Sequence, residues 1–321
     1  MFKHYLSLVL KGTGMGAANV IPGVSGGTVA LITGIFEELI DSLKSLDLAA
    51  VKLLFTGKFK AFANHINLAF LAAVFFGVSI SILSLARIFE YLFTFYPVYI
   101  WAYFFGLILA SIYFVGRTIS HWNLKVIIAF LLGAGIALSI SFLNPATEND
   151  NFIYLIVCGA VAVCSMILPG ISGSFVLILM GNYQLIVIES INNMRLDILF
   201  PVAIGAVFGL IAFSHLLSWV FKKYRDATIS SLTGFIFGSL AIIWPWKNSY
   251  DSASALMPVN KVGAFIDHAG NVVLDTKVYS YQLSSPGEIN ATFLVALLLI
   301  IAGIITIWFM EKFAGNTEAN K

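Results

Sequence analysis

Hydrophobic residues in this chain form long continuous runs instead of alternating with polar ones. The runs lie at roughly 66–92, 98–115, 126–143, 198–221, 228–246 and 291–310. They predict six membrane crossings, because about 20 apolar residues in a helix span the hydrocarbon core of a bilayer.

Two further apolar stretches, at roughly 5–37 and 152–189, are each interrupted by a Pro-Gly motif. Proline cannot continue a helix from the preceding turn, and glycine allows the chain to reverse. Each stretch therefore predicts a re-entrant hairpin, in which two half-helices enter and leave the membrane on the same side. The backbone freed at the break must be buried in protein or line a wet cavity, since lipid cannot hydrogen-bond it.

Composition supports a polytopic membrane protein. Of the 321 residues, 60% are hydrophobic and 11% are charged, whereas about a quarter of a typical soluble domain is charged. Cys158 and Cys164 lie in one apolar stretch, which indicates buried thiols and not a disulfide framework. We expect no signal peptide, cofactor, metal or nucleic-acid partner.

The distribution of Lys and Arg predicts the orientation. With a cytoplasmic N-terminus and two hairpins, 13 of the 18 Lys and Arg residues fall inside, as the positive-inside rule requires. A full crossing by either broken stretch would place the basic segments 44–60 and 222–225 on opposite sides. We therefore expect a multi-pass protein of the cell (inner) membrane with both termini cytoplasmic. The polar loop 247–290 then lies outside, and residues 264–274 predict two short strands around a Gly-Asn turn.

The chain also resembles itself. Pro22 and Pro169, like Ser25 and Ser172, are 147 residues apart, and Gly77 and Gly205 are 128 apart. Three crossings per half is an odd number, so the second half is inverted relative to the first. We expect a single integral membrane domain, 1–321, with an all-α fold. Its inverted-repeat halves, 1–143 and 152–310, each contain one re-entrant helical hairpin plus three transmembrane helices. A homodimer is left open.

The paired motifs are the main candidate for a substrate site. A half-helix that starts at a break directs N–H groups and its positive dipole end at that break, and nearby hydroxyls add donors. This arrangement suits a phosphate. The alternative is that Gly and Ser only allow close helix packing. The candidate residues are Asn19, Pro22, Gly23, Ser25, Gly26, Gly27, Thr28, Pro169, Gly170, Ser172, Gly173 and Ser174.

Three ionisable residues outside the motifs are further candidates. Arg87 lies inside an apolar run, and the offset of 128 places His215 at the matching position. Each could receive an anionic headgroup from its own side of the membrane. Alternatively, Arg87 pairs with Glu90 or reaches the interface, and His215 is an interior histidine. Glu37 could carry a coupling proton or could simply be solvated at the interface.

The first motif, residues 16–28, resembles that of the PopT-type polyprenyl-phosphate transporters. Its echo at 168–174 and the ending Gly238-Ser239 with Trp244-Pro245-Trp246 add to the resemblance. The resemblance implies a flippase that returns undecaprenyl phosphate, a lipid carrier of cell-wall sugars, from the outer to the inner leaflet. It implies a polyprenyl phosphate lipid as the partner and places the family signature on the motif residues named above.

Two other functions are weighed against the flippase. Integral-membrane undecaprenyl-pyrophosphate phosphatases resemble this chain in looking like an inverted repeat with re-entrant Pro-Gly-x-Ser loops. Their motif, however, carries an arginine where this chain has Gly26 and Gly173. Without that arginine, little stabilises phosphoryl transfer, so we expect no catalytic residue and no enzyme. A small-anion exporter is the third possibility and would need a sealed hydrophilic path.

Overall fold

The structure, a computed structural model, is largely helical. It describes residues 2–20, 25–143, 146–191, 193–251, 254–257, 265–266, 272–273, 280–286 and 289–318. The helices are α1 (Phe2–Val20), α2 (Gly26–Ile32), α3 (Phe36–Lys44), α4 (Leu48–Phe55), α5 (Phe59–His65), α6 (Leu68–Phe95), α7 (Pro97–Gly116), α8 (Leu124–Ser141), α9 (Phe152–Ile167), α10 (Gly173–Leu179), α11 (Leu196–Lys223), α12 (Arg225–Gly238) and α13 (Ala291–Glu318). A π-helix covers Gln184–Ser190 and a 3₁₀ turn covers Ser239–Ala241.

Five helices of the described chain are long and apolar enough to cross a bilayer, namely α6, α7, α8, α11 and α13. They correspond to five of the six predicted crossings. The sixth prediction, 228–246, is wrong in extent: α12 has 14 residues, or about 21 Å at 1.5 Å per residue. Thr228, Ser230 and Thr233, which point to different sides of α12, are all buried. Most of α12 is covered by protein, although Phe237 is exposed, and the α-helix ends at Gly238, before Pro245.

Each broken stretch folds into two helices that run antiparallel along each other. In the first, Gly26 N–H donates to Asn19 Oδ1 (2.7 Å) at one end, and Lys11 Nζ donates to the Thr33 carbonyl (2.7 Å) at the other. These bonds join the start of α2 to the end of α1 and the end of α2 to the middle of α1. We call this pair hairpin 1.

The second broken stretch has the same arrangement. Gly173, at the start of α10, lies against the Met166 side chain near the end of α9. The Tyr154 hydroxyl, near the start of α9, donates to the Met180 carbonyl (2.8 Å), which follows α10. Met180 is 147 residues after Thr33, so the two carbonyls occupy matching positions. We call this pair hairpin 2.

Each hairpin packs against the first long helix that follows it, α1 on α6 and α9 on α11. Gly12 of α1 lies against the Val74 carbonyl, and Gly159 of α9 lies against the Val202 carbonyl. A methyl group on either glycine would collide with that oxygen. The two glycines are 147 residues apart and the two valines 128. The contact therefore recurs at the offsets found in the sequence.

The remaining long helices exchange partners between the halves, with α7 packed on α13 and α12 on α8. Gly303 lies against the Tyr103 carbonyl, and Gly133 lies against the Ser231 carbonyl. The tyrosine and serine are again 128 residues apart, while the two glycines are 170 apart. Glycine at these crossings lets two helix backbones touch.

The two halves differ mainly in their insertions. Helices α4 and α5 follow hairpin 1 and carry exposed apolar side chains such as Leu48, Phe55 and Phe59. In the loop after α12, β3 (Phe265–Ile266) pairs antiparallel with β4 (Val272–Val273), which confirms the predicted strand pair; the Gly-Asn turn predicted between them lies outside the described residues. The same loop contains a second sheet of order β2-β1-β5, formed by β1 (Lys247–Asp251), β2 (Ser254–Met257) and β5 (Ser280–Leu283).

Candidate functional site

Described residues of the two Pro-Gly motifs, which lie 147 residues apart in sequence, make contact in the structure. Ser25 Oγ donates to the Met166 carbonyl (3.3 Å), and the Gly170 N–H donates to Thr28 Oγ1 (3.1 Å). Ser25 and Thr28 are each 1% exposed. We call these four residues the hairpin junction. It is formed by polar groups of both halves that satisfy each other away from solvent.

Local sequence explains why each short helix begins where it does. Ser25 has extended backbone angles, and its Oγ accepts from the Gly27 N–H (3.1 Å). Ser172 has similar angles and accepts from the Phe175 N–H (3.2 Å). Serine favours this N-cap position because its oxygen satisfies an N–H that lacks an intrahelical partner. The predicted site serines Ser25 and Ser172 are thus the N-cap residues of α2 and α10.

Two glycines allow the breaks to approach so closely. Gly27 lies against the Ile167 carbonyl, where a Cβ would be 2.5 Å from the oxygen. Gly170 has φ +87° and lies against the backbone of Phe235 in α12. An L-residue with a side chain rarely adopts that φ. The glycines therefore do pack helices closely, as the alternative interpretation holds, but they do so at the junction of the two motifs.

Among the described residues, the free N–H groups expected at the start of both short helices are found only at α10. The first three N–H groups of α2 are bonded within the chain: Gly26 to Asn19, Gly27 to the Ser25 side chain and Thr28 to the Ser25 carbonyl. The expectation is therefore wrong for α2, because Asn19 and Ser25 cap it.

Around α10, Gly173 N–H and Ser174 N–H have no acceptor within the part of the chain that the structure describes. The hydroxyls of Ser172 and Ser174 are 3.2 Å apart. Asn19 has no polar counterpart here, since Met166 occupies its matching position. The two hairpins are thus alike in backbone and unlike in polarity.

A largely apolar cavity of about 240 Å³ adjoins the junction at Thr28. Its wall is formed by α1, α2, α6, α7 and α13, with Ala17, Phe89, Leu107 and Ile307 among the lining residues. The prediction from sequence missed this feature, because the cavity depends on how five separate helices meet.

Other predicted site residues lie elsewhere or outside the description. Pro22 and Gly23 lie outside the described residues, as does the side chain of Arg87 on α6. His215 lies on α11, where its Nδ1 donates to the Ile211 carbonyl of the same helix (2.8 Å). Among the described residues, no hydrogen bond joins His215 to the hairpin junction.

Glu37 belongs to an ion-pair cluster, defined as Glu37, Asp41, Lys222 and Arg225. Glu37 Oε1 accepts from Arg225 Nη2 (2.9 Å) and Nε (3.0 Å), and Asp41 Oδ2 is 2.8 Å from Lys222 Nζ. The cluster ties α3 to the α11–α12 turn. The sequence contains one signal for this cluster: an acidic helix and a basic loop that are both predicted on the cytoplasmic side of the membrane.

Asp41 is partly withdrawn from solvent in this cluster. Burial opposes its ionisation, but hydrogen bonds from Lys222 and Ser218 outweigh burial, so the pKa of the Asp41 carboxyl is lowered from 3.8. The carboxylate therefore remains charged throughout the physiological range. Among the described residues, no three His, Cys, Asp or Glu residues are grouped so that they could hold a metal ion.

Comparison with known proteins agrees with the predicted resemblance. Residues 15–258 match the family described as undecaprenyl phosphate translocase-like. The polyprenyl-phosphate transporter of Vibrio cholerae serotype O1 is 38% identical over 311 residues, which cover 97% of each chain. The polyprenyl-phosphate transporter of Staphylococcus aureus is 27% identical over 254 residues, 74% of this chain and 85% of the relative.

No solved structure matches this chain significantly. The family and both relatives carry the names of transporters and not of enzymes, which confirms the prediction that the chain is not an enzyme. With most of its length matched, this helical membrane protein belongs to the undecaprenyl phosphate translocase-like family.

Proposed function

We propose that this chain is a flippase that moves undecaprenyl phosphate from the outer to the inner leaflet, where the lipid re-enters cell-wall polymer synthesis. The observation that carries the proposal is the hairpin junction, where Ser25, Thr28 and Gly170 from two separate motifs meet in the interior. Polar, partly unwound backbone in the interior of a membrane protein is typical of substrate sites in transporters. The names of the relatives supply the class of substrate.

The proposed architecture is an inverted repeat with two re-entrant hairpins. The matched contacts of Gly12 with Val74 and of Gly159 with Val202 support the repeat, and the antiparallel course of both hairpins supports re-entry. The charge distribution favours an inner-membrane protein with both termini cytoplasmic. Rocking of one half against the other would then open the junction to each leaflet in turn.

In the proposed mechanism the phosphate replaces hydrogen bonds that the two halves make with each other. When the halves separate, Ser25 Oγ and the Gly170 N–H lose their partners and become donors for phosphate oxygens. Gly173 N–H and Ser174 N–H add donors from hairpin 2. The positive charge of Arg87 would offset that of the phosphate. The other motif residues, Asn19, Pro22, Gly23, Gly26, Gly27, Thr28, Pro169 and Ser172, would shape this site, and His215 would receive the headgroup from the inner side.

Vesicles reconstituted with the purified chain test the proposal. Fluorescently tagged polyprenyl phosphate should move between leaflets with the wild-type chain, and Ser25→Ala and Arg87→Ala should slow that movement without unfolding the protein. The matched controls are Ser139→Ala and Arg117→Ala. Ser139 is an exposed serine that is hydrogen-bonded within α8, and the Arg117 guanidinium lies over the Tyr113 ring.

Each other result has a defined meaning. Normal movement with both site variants would contradict the site assignment. Release of inorganic phosphate from the pyrophosphate form would support the phosphatase, and uptake of inorganic phosphate alone would support the small-anion exporter. For coupling through Glu37, the Glu37→Gln variant should lose any acceleration that a pH gradient gives the wild-type chain.

A further inference from the structure

We propose that the cavity beside Thr28 binds the isoprene units of the lipid that lie next to its phosphate. This inference rests on the proposed function and adds a second subsite to it. The phosphate would lie at the hairpin junction, the first isoprene units in the cavity, and the remainder of the tail in the bilayer.

Polarity identifies the occupant as hydrocarbon. The hydroxyls that line the cavity are already bonded within the protein: Tyr103 with Thr306 (3.1 Å), Ser111 with the Leu107 carbonyl (2.7 Å) and Thr28 with the Gly170 N–H (3.1 Å). A water molecule needs two or more polar partners to be stable in a cavity. Because each of these hydroxyl oxygens is already in a hydrogen bond, this cavity offers an apolar group a better environment than it offers water.

Position and size select an apolar group that is attached to the headgroup. Thr28 belongs both to the cavity wall and to the hairpin junction, so a group in the cavity is adjacent to a phosphate at the junction. The volume of about 240 Å³ corresponds to about eight groups the size of a water molecule at ~30 Å³ each. One to two five-carbon isoprene units fill that space.

The sequence explains why the space exists in the first half. Gly14, Ala17 and Ala18 of α1 form one wall. One repeat later, at an offset of 147, the matching residues are Val161, Cys164 and Ser165, each of which is larger. Small side chains on α1 thus leave room at positions where the second half carries larger residues. The tail subsite is therefore a property of one half, whereas the junction belongs to both.

Photolabelling of the wild-type chain in vesicles tests the inference without any variant. One polyprenyl phosphate probe carries a diazirine on the isoprene unit next to the phosphate, a second carries it at the far end of the tail, and a phosphatidylglycerol probe carries it on an acyl chain. We expect the first probe to label peptides containing Leu107 or Ile307, and the second to label lipid-facing helix surfaces. Labelling of these peptides by phosphatidylglycerol to the same extent would overturn the inference.

Variants that fill the cavity provide a second measurement. Ala17→Val and Ala17→Leu should reduce labelling by the first probe in order of size. We expect about a tenfold loss for leucine, equivalent to ~1.4 kcal/mol of binding free energy. Ala72→Leu, on the exposed side of α6, is the matched control and should label like the wild-type chain.

The failure of this inference can be distinguished from the failure of the proposed function. If the wild-type chain moves polyprenyl phosphate but the first probe labels only lipid-facing surfaces, the cavity proposal is wrong and the flippase proposal is supported. If the wild-type chain moves no polyprenyl phosphate, the proposed function is wrong whichever residues are labelled.

Discussion

Replacing Thr28 with valine should weaken the contact between the two hairpins. Valine has nearly the shape of threonine but lacks the hydroxyl oxygen that accepts from the Gly170 N–H at 3.1 Å. Both groups are buried, so water cannot replace the lost acceptor. Leaving one buried donor unpaired costs about 1–3 kcal/mol. At roughly 2 °C per kcal/mol for a chain of this size, the thermal midpoint should fall by about 2–6 °C.

Thr233→Val is a matched control for this prediction. Thr233 is also 1% exposed, but its hydroxyl donates to the Ile229 carbonyl in its own helix (2.7 Å). That carbonyl also accepts the regular helical bond, so its loss leaves no buried group unpaired. Thermal unfolding of the detergent-solubilised variants, followed by tryptophan fluorescence, should rank Thr28→Val clearly below Thr233→Val and Thr28→Ser. Equal midpoints for the two valine variants would refute the role of the Thr28 hydroxyl.

Three further predictions concern other parts of the fold. Gly12→Ala and Gly159→Ala should each destabilise the protein by about 1–3 kcal/mol, because the added methyl group collides with a carbonyl. Gly135→Ala, which has open space around it, should not destabilise it. An unchanged thermal midpoint for either of the first two variants would contradict the matched contacts. Glu37→Gln should change stability by about 1 kcal/mol or less, because the pair is exposed, and a large loss of folded protein would show that the bond does more than tie two surfaces. The pKa of Asp41 is lowered in the folded state, so its carboxylate should stabilise the folded protein from about pH 5 to 8. This stabilisation should be lost as the pH falls below about 4. The difference in thermal midpoint between wild type and Asp41→Asn should therefore disappear in acid.

The sequence predicts the helical layout well because each crossing is encoded locally. A run of apolar residues specifies a span without reference to the rest of the chain, and α6, α7, α8, α11 and α13 lie where the runs are. For α12 the same signal overestimates the helix, since apolar residues up to Ile243 face other helices after the α-helix has ended. Apolar character does not reveal whether the neighbour is lipid or protein.

The candidate site is predicted in part. The repeat identifies Ser25 and Ser172 as equivalent, and their shared N-cap role is the physical reason. The contact of Ser25 with the Met166 carbonyl has no such signal, because a backbone acceptor is independent of residue type. The cavity is equally hidden, since Leu107 and Ile307 meet only through tertiary packing.

The ion-pair cluster joins the two halves of the chain at one position and has no counterpart at the position that the repeat offsets relate to it. At the offsets of the repeat, Glu37 and Arg225 correspond to Gln184 and Pro97, so the matching position lacks both charges. Of two positions related by the sequence offsets, only one thus carries an ion pair between the halves. An ion pair of this kind changes the lifetime of one conformation of a passive carrier, and ionic strength would change that lifetime. It does not change the equilibrium distribution of lipid between the leaflets. In the proposed flippase, net movement would follow the concentration difference that the rest of the cell maintains, and the cluster would shift the time that the empty protein spends facing one leaflet by no more than an exposed ion pair allows, about 1 kcal/mol.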